Sequence, residues 1–125
     1  MSAITLTAEN FEQTILGNEV VLVDFWASWC GPCRQFAPVY DAASQSGDND
    51  GIVFGKVDTE AEQSLAQAAN ITSIPTLMAF RDGILVFSQP GALPAAALEQ
   101  VITAVRGLDM DDVRAKVATA QPADA

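Results

Sequence analysis

Histidine is absent from all 125 residues, and cysteine occurs only twice, at Cys30 and Cys33. Without imidazole there is no Ser-His-Asp or Cys-His nucleophilic pair and no His-ligated metal, which removes much of enzyme chemistry. Basic residues are scarce too: 6 Lys and Arg stand against 16 Asp and Glu, a formal charge of -10. That sign argues against nucleic-acid partners, because affinity for a phosphate backbone comes mainly from neutralising it. No run approaches the roughly eighteen apolar residues of a membrane span, so no membrane partner is expected. The first twenty residues carry Glu9, Glu12 and Glu19, no Lys or Arg, and no long apolar block, so a secretory leader is not expected either. The expectation is a cytoplasmic protein, in which two cysteines point to redox or metal chemistry sooner than to a structural staple.

What is present is a core. Half of the residues are hydrophobic and only 18% are charged, too apolar a mixture for a disordered chain. The length suits one domain. Val20 to Trp26 (VVLVDFW) is an almost unbroken β-branched and aromatic run, the mark of a strand covered on both faces, and Asp24 is its one misfit. A capped helix is expected after Thr7, and a second helix beginning inside Cys30-Gly31-Pro32-Cys33, where Pro32 suits a first turn. A strand at Ile52 to Val57 follows, then a helix opened by a Thr59 to Glu62 capping box and closed by a left-handed Asn70. Pro75 to Phe80 and Ile84 to Ser88 form a hairpin around Arg81-Asp82-Gly83, and a helix runs from Pro94 to about Gly107. Alternation in the first half and a hairpin in the second predict an α/β fold, a mixed sheet with helices on both faces. Residues 1–107 make the domain. Residues 108–125 form a tail, read as a short helix capped by Asp109 followed by a disordered end.

Two cysteines at i and i+3 on the first turn of a helix have Cβ atoms roughly 5 to 6 Å apart, within reach of a reversible disulfide. Cys30 at the helix start gains the unpaired N–H groups and the positive dipole end that favour a thiolate, so it is the expected nucleophile. Cys33, one turn in and less exposed, is the expected resolving thiol, and Gly31 and Pro32 form the linker, which Pro32 stiffens. An ordinary pair of buried cysteines, or half of a zinc site completed by a second chain, is the alternative. The preceding strand, the following helix and the lack of any further Cys or His weigh against it.

Val23-Asp24-Phe25-Trp26-Ala27-Ser28-Trp29-Cys30-Gly31-Pro32-Cys33, Ile74-Pro75-Thr76 and Gly91-Ala92, in that order, resemble the signatures of the thioredoxin family over about residues 3 to 107. A Cys-X-X-Cys between strand and helix is itself a recognised sign of that family. The resemblance implies the thioredoxin fold and general protein-disulfide reduction by a reversible Cys30–Cys33 pair. It also implies recharging by thioredoxin reductase, an NADPH-dependent flavoenzyme, with oxidised proteins as substrates, no bound cofactor or metal, and a monomer. It makes Ile74-Pro75 a cis bond and places Trp29, Ile74, Pro75, Gly91 and Ala92 along a substrate groove. Arg34, Thr59, Asn70 and Pro90 depart from the residues usual in the family.

By the same resemblance Asp24 relays a proton for Cys33, since burial raises a carboxyl pKa into a useful range. Otherwise it is a tolerated polar residue near a strand end. Lys56 is read either as a modulator of the Asp24 charge or as an ordinary lysine at the edge of the core. Trp26 and Trp29 are core and rim aromatics. Two other functions stay in view: an oxidant or isomerase of an exported compartment, and a binding module that holds a partner through Trp29 and Pro75 without turnover.

Overall fold

The computed structural model describes residues 3–120, and side chains as far as residue 118. In chain order its elements are β1 (Ile4–Thr5), α1 (Phe11–Gly17), β2 (Val20–Trp26), α2 (Gly31–Gln45), β3 (Ile52–Asp58), α3 (Gln63–Ala68), β4 (Thr76–Arg81), β5 (Ile84–Pro90), α4 (Ala95–Arg106) and α5 (Met110–Ala120). The strands form one mixed sheet in the order β1-β3-β2-β4-β5. β3 runs parallel to both β1 and β2, whereas β4 is antiparallel to β2 and β5 to β4. Among the described residues no helix is long and apolar enough to cross a membrane.

β2 lies between β3 and β4, and this position explains its sequence. Side chains alternate across a strand, so a strand covered on both faces needs apolar residues at successive positions. Val20 and Leu22 join Phe36 and Tyr40 of α2 and Leu98 and Ile102 of α4 on one face. Val21, Val23 and Phe25 join Leu6, Ile15, Val57 and Met78 on the other. Each such burial is worth about 1.5–3 kcal/mol. By the same alternation Asp24 and Trp26 project to the α2 face, as Phe54 and Lys56 do from β3.

Several local expectations are corrected. β1 is a strand that the pattern did not reveal, because only two residues pair with β3, Ile4 with Gly55 and Thr5 with Lys56. Thr7 caps the turn that leads into α1 and not α1 itself: its Oγ1 accepts from the Glu9 N–H at 3.3 Å, its carbonyl accepts from Phe11 N–H at 2.9 Å, and α1 begins after Asn10. No capping box forms at Thr59. Its hydroxyl donates to the Trp26 carbonyl at 3.0 Å, Asp58 Oδ1 accepts from the Glu60 and Ala61 N–H groups, and α3 starts at Gln63. β5 continues past Ser88 to pair Pro90 with Thr76. Asn70 takes the left-handed conformation expected of it, with φ 57°.

The tail forms α5, with Asp109 Oδ1 accepting from the Asp111 and Asp112 N–H groups as a cap. Met110 is buried and Arg114 meets Asp82 at 3.0 Å, so the helix rests on the β4–β5 turn. The disordered end expected beyond Ala120 lies outside the described residues.

Candidate functional site

β2 ends at Trp26, and Ala27 to Trp29 carry the chain to Cys30, the extended N-cap of α2. Pro32 in the first turn costs the helix nothing, because the N–H it lacks has no intrahelical partner there. The Cys33 N–H points back at Cys30 Sγ over 3.2 Å, so a sulfur takes the place of a side-chain oxygen cap. Cys30 and Cys33 are joined as a disulfide, with Cα atoms 5.2 Å apart.

The expected contrast in exposure between the sulfurs is slight, at 4% for Cys30 and 3% for Cys33. Their surroundings differ more. Cys30 Sγ lies 3.6 Å from the Ile74 carbonyl oxygen, whereas Cys33 lines a cavity of about 110 Å³ with Trp26, Ala27, Ser28, Arg34, Ala37 and Lys56.

The Ile74 loop arrives there because β4 is antiparallel to β2. Its first residue, Thr76, pairs with Phe25, close to the end of β2 that feeds the cysteines. The Ile74-Pro75 bond is cis, as the resemblance implied. Gly91, at φ 105° in a region costly for other residues, donates its N–H to the Pro75 carbonyl at 2.8 Å. Pro75 is buried, Ile74 half-buried, Gly91 and Ala92 exposed, and Trp29, next to Cys30 in the chain, is 65% exposed. Thr59 is tied to Trp26, and Pro90 is exposed beside Gly91.

Asp24 is fully buried, and neither carboxylate oxygen has a hydrogen-bond partner in the protein. Burial pushes its pKa from an ordinary 3.8 to about 7; Lys56 opposes the rise and Asp41 adds to it. Lys56 is the register partner of Asp24 on β3, and its ammonium sits 5.2 Å from the centroid of the Trp26 ring. Two residues of this neighbourhood, Tyr40 and Asp41, escaped the sequence reading as parts of the site. Buried Tyr40 donates its hydroxyl to the Gly55 carbonyl at 2.9 Å, and burial, then Asp24, push its pKa well up. Asp41 acts on the Asp24 charge, and the Arg34 side chain reaches back to the Ser28 carbonyl at 2.8 Å. The available signal was helical spacing: Tyr40 follows Cys33 by seven residues, on the same face of α2.

Comparison with known proteins decides the family, since the thioredoxin family matches residues 2–104. The chain belongs to the thioredoxin family. It is similar to a putative thioredoxin 2 from Streptomyces coelicolor, 60% identical over 120 residues, covering 96% of this chain and 88% of that protein. Thioredoxin 1 from Synechococcus elongatus is 44% identical over 101 residues, 80% of this chain and 94% of that one. Among solved structures, a mutant thioredoxin from Halobacterium salinarum superposes with a TM-score of 0.76 at 31% identity, covering 85% of this chain and 91% of the other. A thioredoxin of Malassezia sympodialis does so at 0.75 and 34%, covering 82% and 89%. As a thioredoxin-family member the chain is a thiol–disulfide oxidoreductase, and the Cys30–Cys33 pair at bonding distance fits its dithiol/disulfide cycle.

Proposed function

We propose that the chain is a general protein-disulfide reductase in which Cys30 attacks, Cys33 resolves and Asp24 relays the proton. The Cys30 thiolate attacks one sulfur of a substrate disulfide, and the other substrate sulfur leaves with the electron pair and takes a proton. A mixed disulfide with Cys30 results. Cys33 then gives its proton to the Asp24 carboxylate, and its thiolate attacks Cys30 Sγ. The second substrate sulfur leaves and is protonated, and the Cys30–Cys33 disulfide closes. Two electrons and two protons pass to the substrate. A carboxyl that titrates near 7 is matched to this relay at neutral pH.

One observation carries the assignment of roles: Cys30 Sγ takes the Cys33 N–H and faces the Ile74 loop at the groove, while Cys33 lines a separate, half-open cavity with Lys56. Trp29, Ile74, Pro75, Gly91 and Ala92 receive the substrate segment, Gly31 and Pro32 hold the sulfurs in register, and Lys56 moderates the Asp24 charge. The partners are oxidised proteins and an NADPH-dependent thioredoxin reductase that returns the dithiol. A reducing cytoplasm suits a chain whose only two cysteines form one exchangeable pair. Residues 1–107 are the working domain and 108–125 an appendage to it.

Non-reducing gels of each cysteine variant incubated with an oxidised substrate protein test this reading. Cys33→Ser should accumulate a covalent complex, because serine cannot perform the second exchange, and Cys30→Ser should capture little. Equal trapping by the two variants would reverse or erase the assignment, and trapping by neither would leave a binding module.

A further inference from the structure

Six cationic side chains serve this chain, and four lie away from the disulfide. Arg81 donates to the Val105, Arg106 and Leu108 carbonyls, Arg106 to the Asp48 and Asp50 carbonyls, Arg114 meets Asp82, and Lys116 meets Asp112. The remaining two, Arg34 and Lys56, both line the cavity that holds Cys33. Lys56 is turned onto the Trp26 ring. Arg34 is fixed differently: its backbone N–H donates to the Cys30 carbonyl at 3.2 Å and its Nη1 to the Ser28 carbonyl at 2.8 Å. One residue thus lashes the segment before Cys30 to the first turn of α2 and keeps a guanidinium at the mouth of the cavity.

We propose that Arg34 is a positioning residue for the second exchange, holding the Ser28–Cys30 segment and a permanent positive charge beside Cys33 while that sulfur becomes a thiolate. This rests on the division of labour proposed above. In that step Cys33 loses its proton and its electron pair attacks Cys30 Sγ, so negative charge grows on the inner sulfur, where a nearby cation favours it. The other charged or titratable groups about the site are Cys30 itself, Asp24 of β2, Tyr40 and Asp41 of α2, and Lys56 and Asp58 of β3. Asp58 spends its carboxylate on the Glu60 and Ala61 N–H groups, and the Ile74-Pro75 loop brings no charge. Asp24 is neutral once it has taken the Cys33 proton, burial keeps Tyr40 protonated and Asp41 is exposed, which leaves Arg34 and Lys56 to favour the thiolate. Arginine stays charged at every working pH, and its planar fork can hold a carbonyl while other N–H groups face the cavity.

The test follows the decay of the mixed disulfide in the full chain by acid quench and non-reducing gels, across pH 5 to 9 and at 0.05 and 1 M salt. Arg34→Gln should slow resolution at pH 7 about threefold and move its pH midpoint up by roughly half a unit. That difference should shrink at 1 M salt, where screening acts within about 3 Å. Arg34→Lys should keep the parental midpoint. A parental midpoint and rate in Arg34→Gln would overturn the proposal. If Cys33→Ser, run alongside, formed no mixed disulfide, the division of labour itself would fall, and the two failures are thereby told apart.

Discussion

The Lys56 ammonium stands 5.2 Å from the centroid of the Trp26 ring and closes no ion pair with Asp24, although Asp24 and Lys56 are register partners on adjacent strands. The carboxyl therefore keeps most of its desolvation cost, and burial outweighs the attraction of the lysine.

Asp24→Asn should stabilise the protein above neutral pH. With a pKa raised from 3.8 to about 7, the folded state keeps a proton that the unfolded chain has already released. Stability from this group is full below about pH 4 and falls as pH rises to about 7, a total loss on the order of 4 kcal/mol. Urea melts should show the gap between variant and parent widening from pH 5 to pH 9. An unchanged gap would mean that Asp24 is not held protonated by burial. Disulfide reduction should meanwhile slow roughly tenfold, with loss of the relay.

Lys56→Gln removes the charge that lowers the Asp24 pKa, so the Asp24 midpoint should move up. A carboxyl-detected NMR titration of parent and variant reads this directly. A midpoint unmoved or lowered in the variant would show that the lysine does not act on Asp24.

Trp29→Ala should leave stability within about 0.5 kcal/mol, because the side chain is 65% exposed. Its loss is expected instead in KM for protein substrates, about fivefold to tenfold, as for an aromatic anchor on a binding rim. Thermal melts and insulin-reduction kinetics on one preparation separate the two effects.

A chain ended after Gly107 loses buried Met110, the Leu108 carbonyl that accepts from Arg81, and the Arg114–Asp82 pair. The apolar burial is worth about 1.5–3 kcal/mol, and the largely exposed ion pair adds less than about 1 kcal/mol. Disulfide reduction should be unchanged. Asp82 and Pro75 flank opposite ends of the six-residue β4, which separates them by about 20 Å. Normal folding with lost reduction would place the tail in the groove after all.

What could be read in advance was whatever the chain states locally. Val20 to Trp26 declares a doubly covered strand by composition alone, and Cys30 to Cys33 carries its own geometry in three residues. β1 states nothing, since two paired residues have no periodicity; its place depends on Gly55, where a Cβ would collide with Leu6. Thr59 to Glu62 spells a capping box, yet Thr59 is drawn to the Trp26 carbonyl thirty-three residues away, a competitor that no local pattern contains. The Asp24 misfit was visible, but Tyr40 and Asp41 enter its surroundings only once α2 lies over the sheet.

The antiparallel pairing of β2 with β4 gives the active end a property of tolerance. Cys30 and Ile74 are forty-four positions apart in the chain, and their spacing is set by the register that pairs Val20 with Arg81 and Phe25 with Thr76. Slipping that register by one residue would turn every β4 side chain to the wrong face, so buried Leu77, Met78 and Ala79 act as an error check on the site's geometry. The loops themselves need not encode that distance. Their side chains are free to vary with substrate, while the alignment of sulfur and carbonyl is inherited from the core.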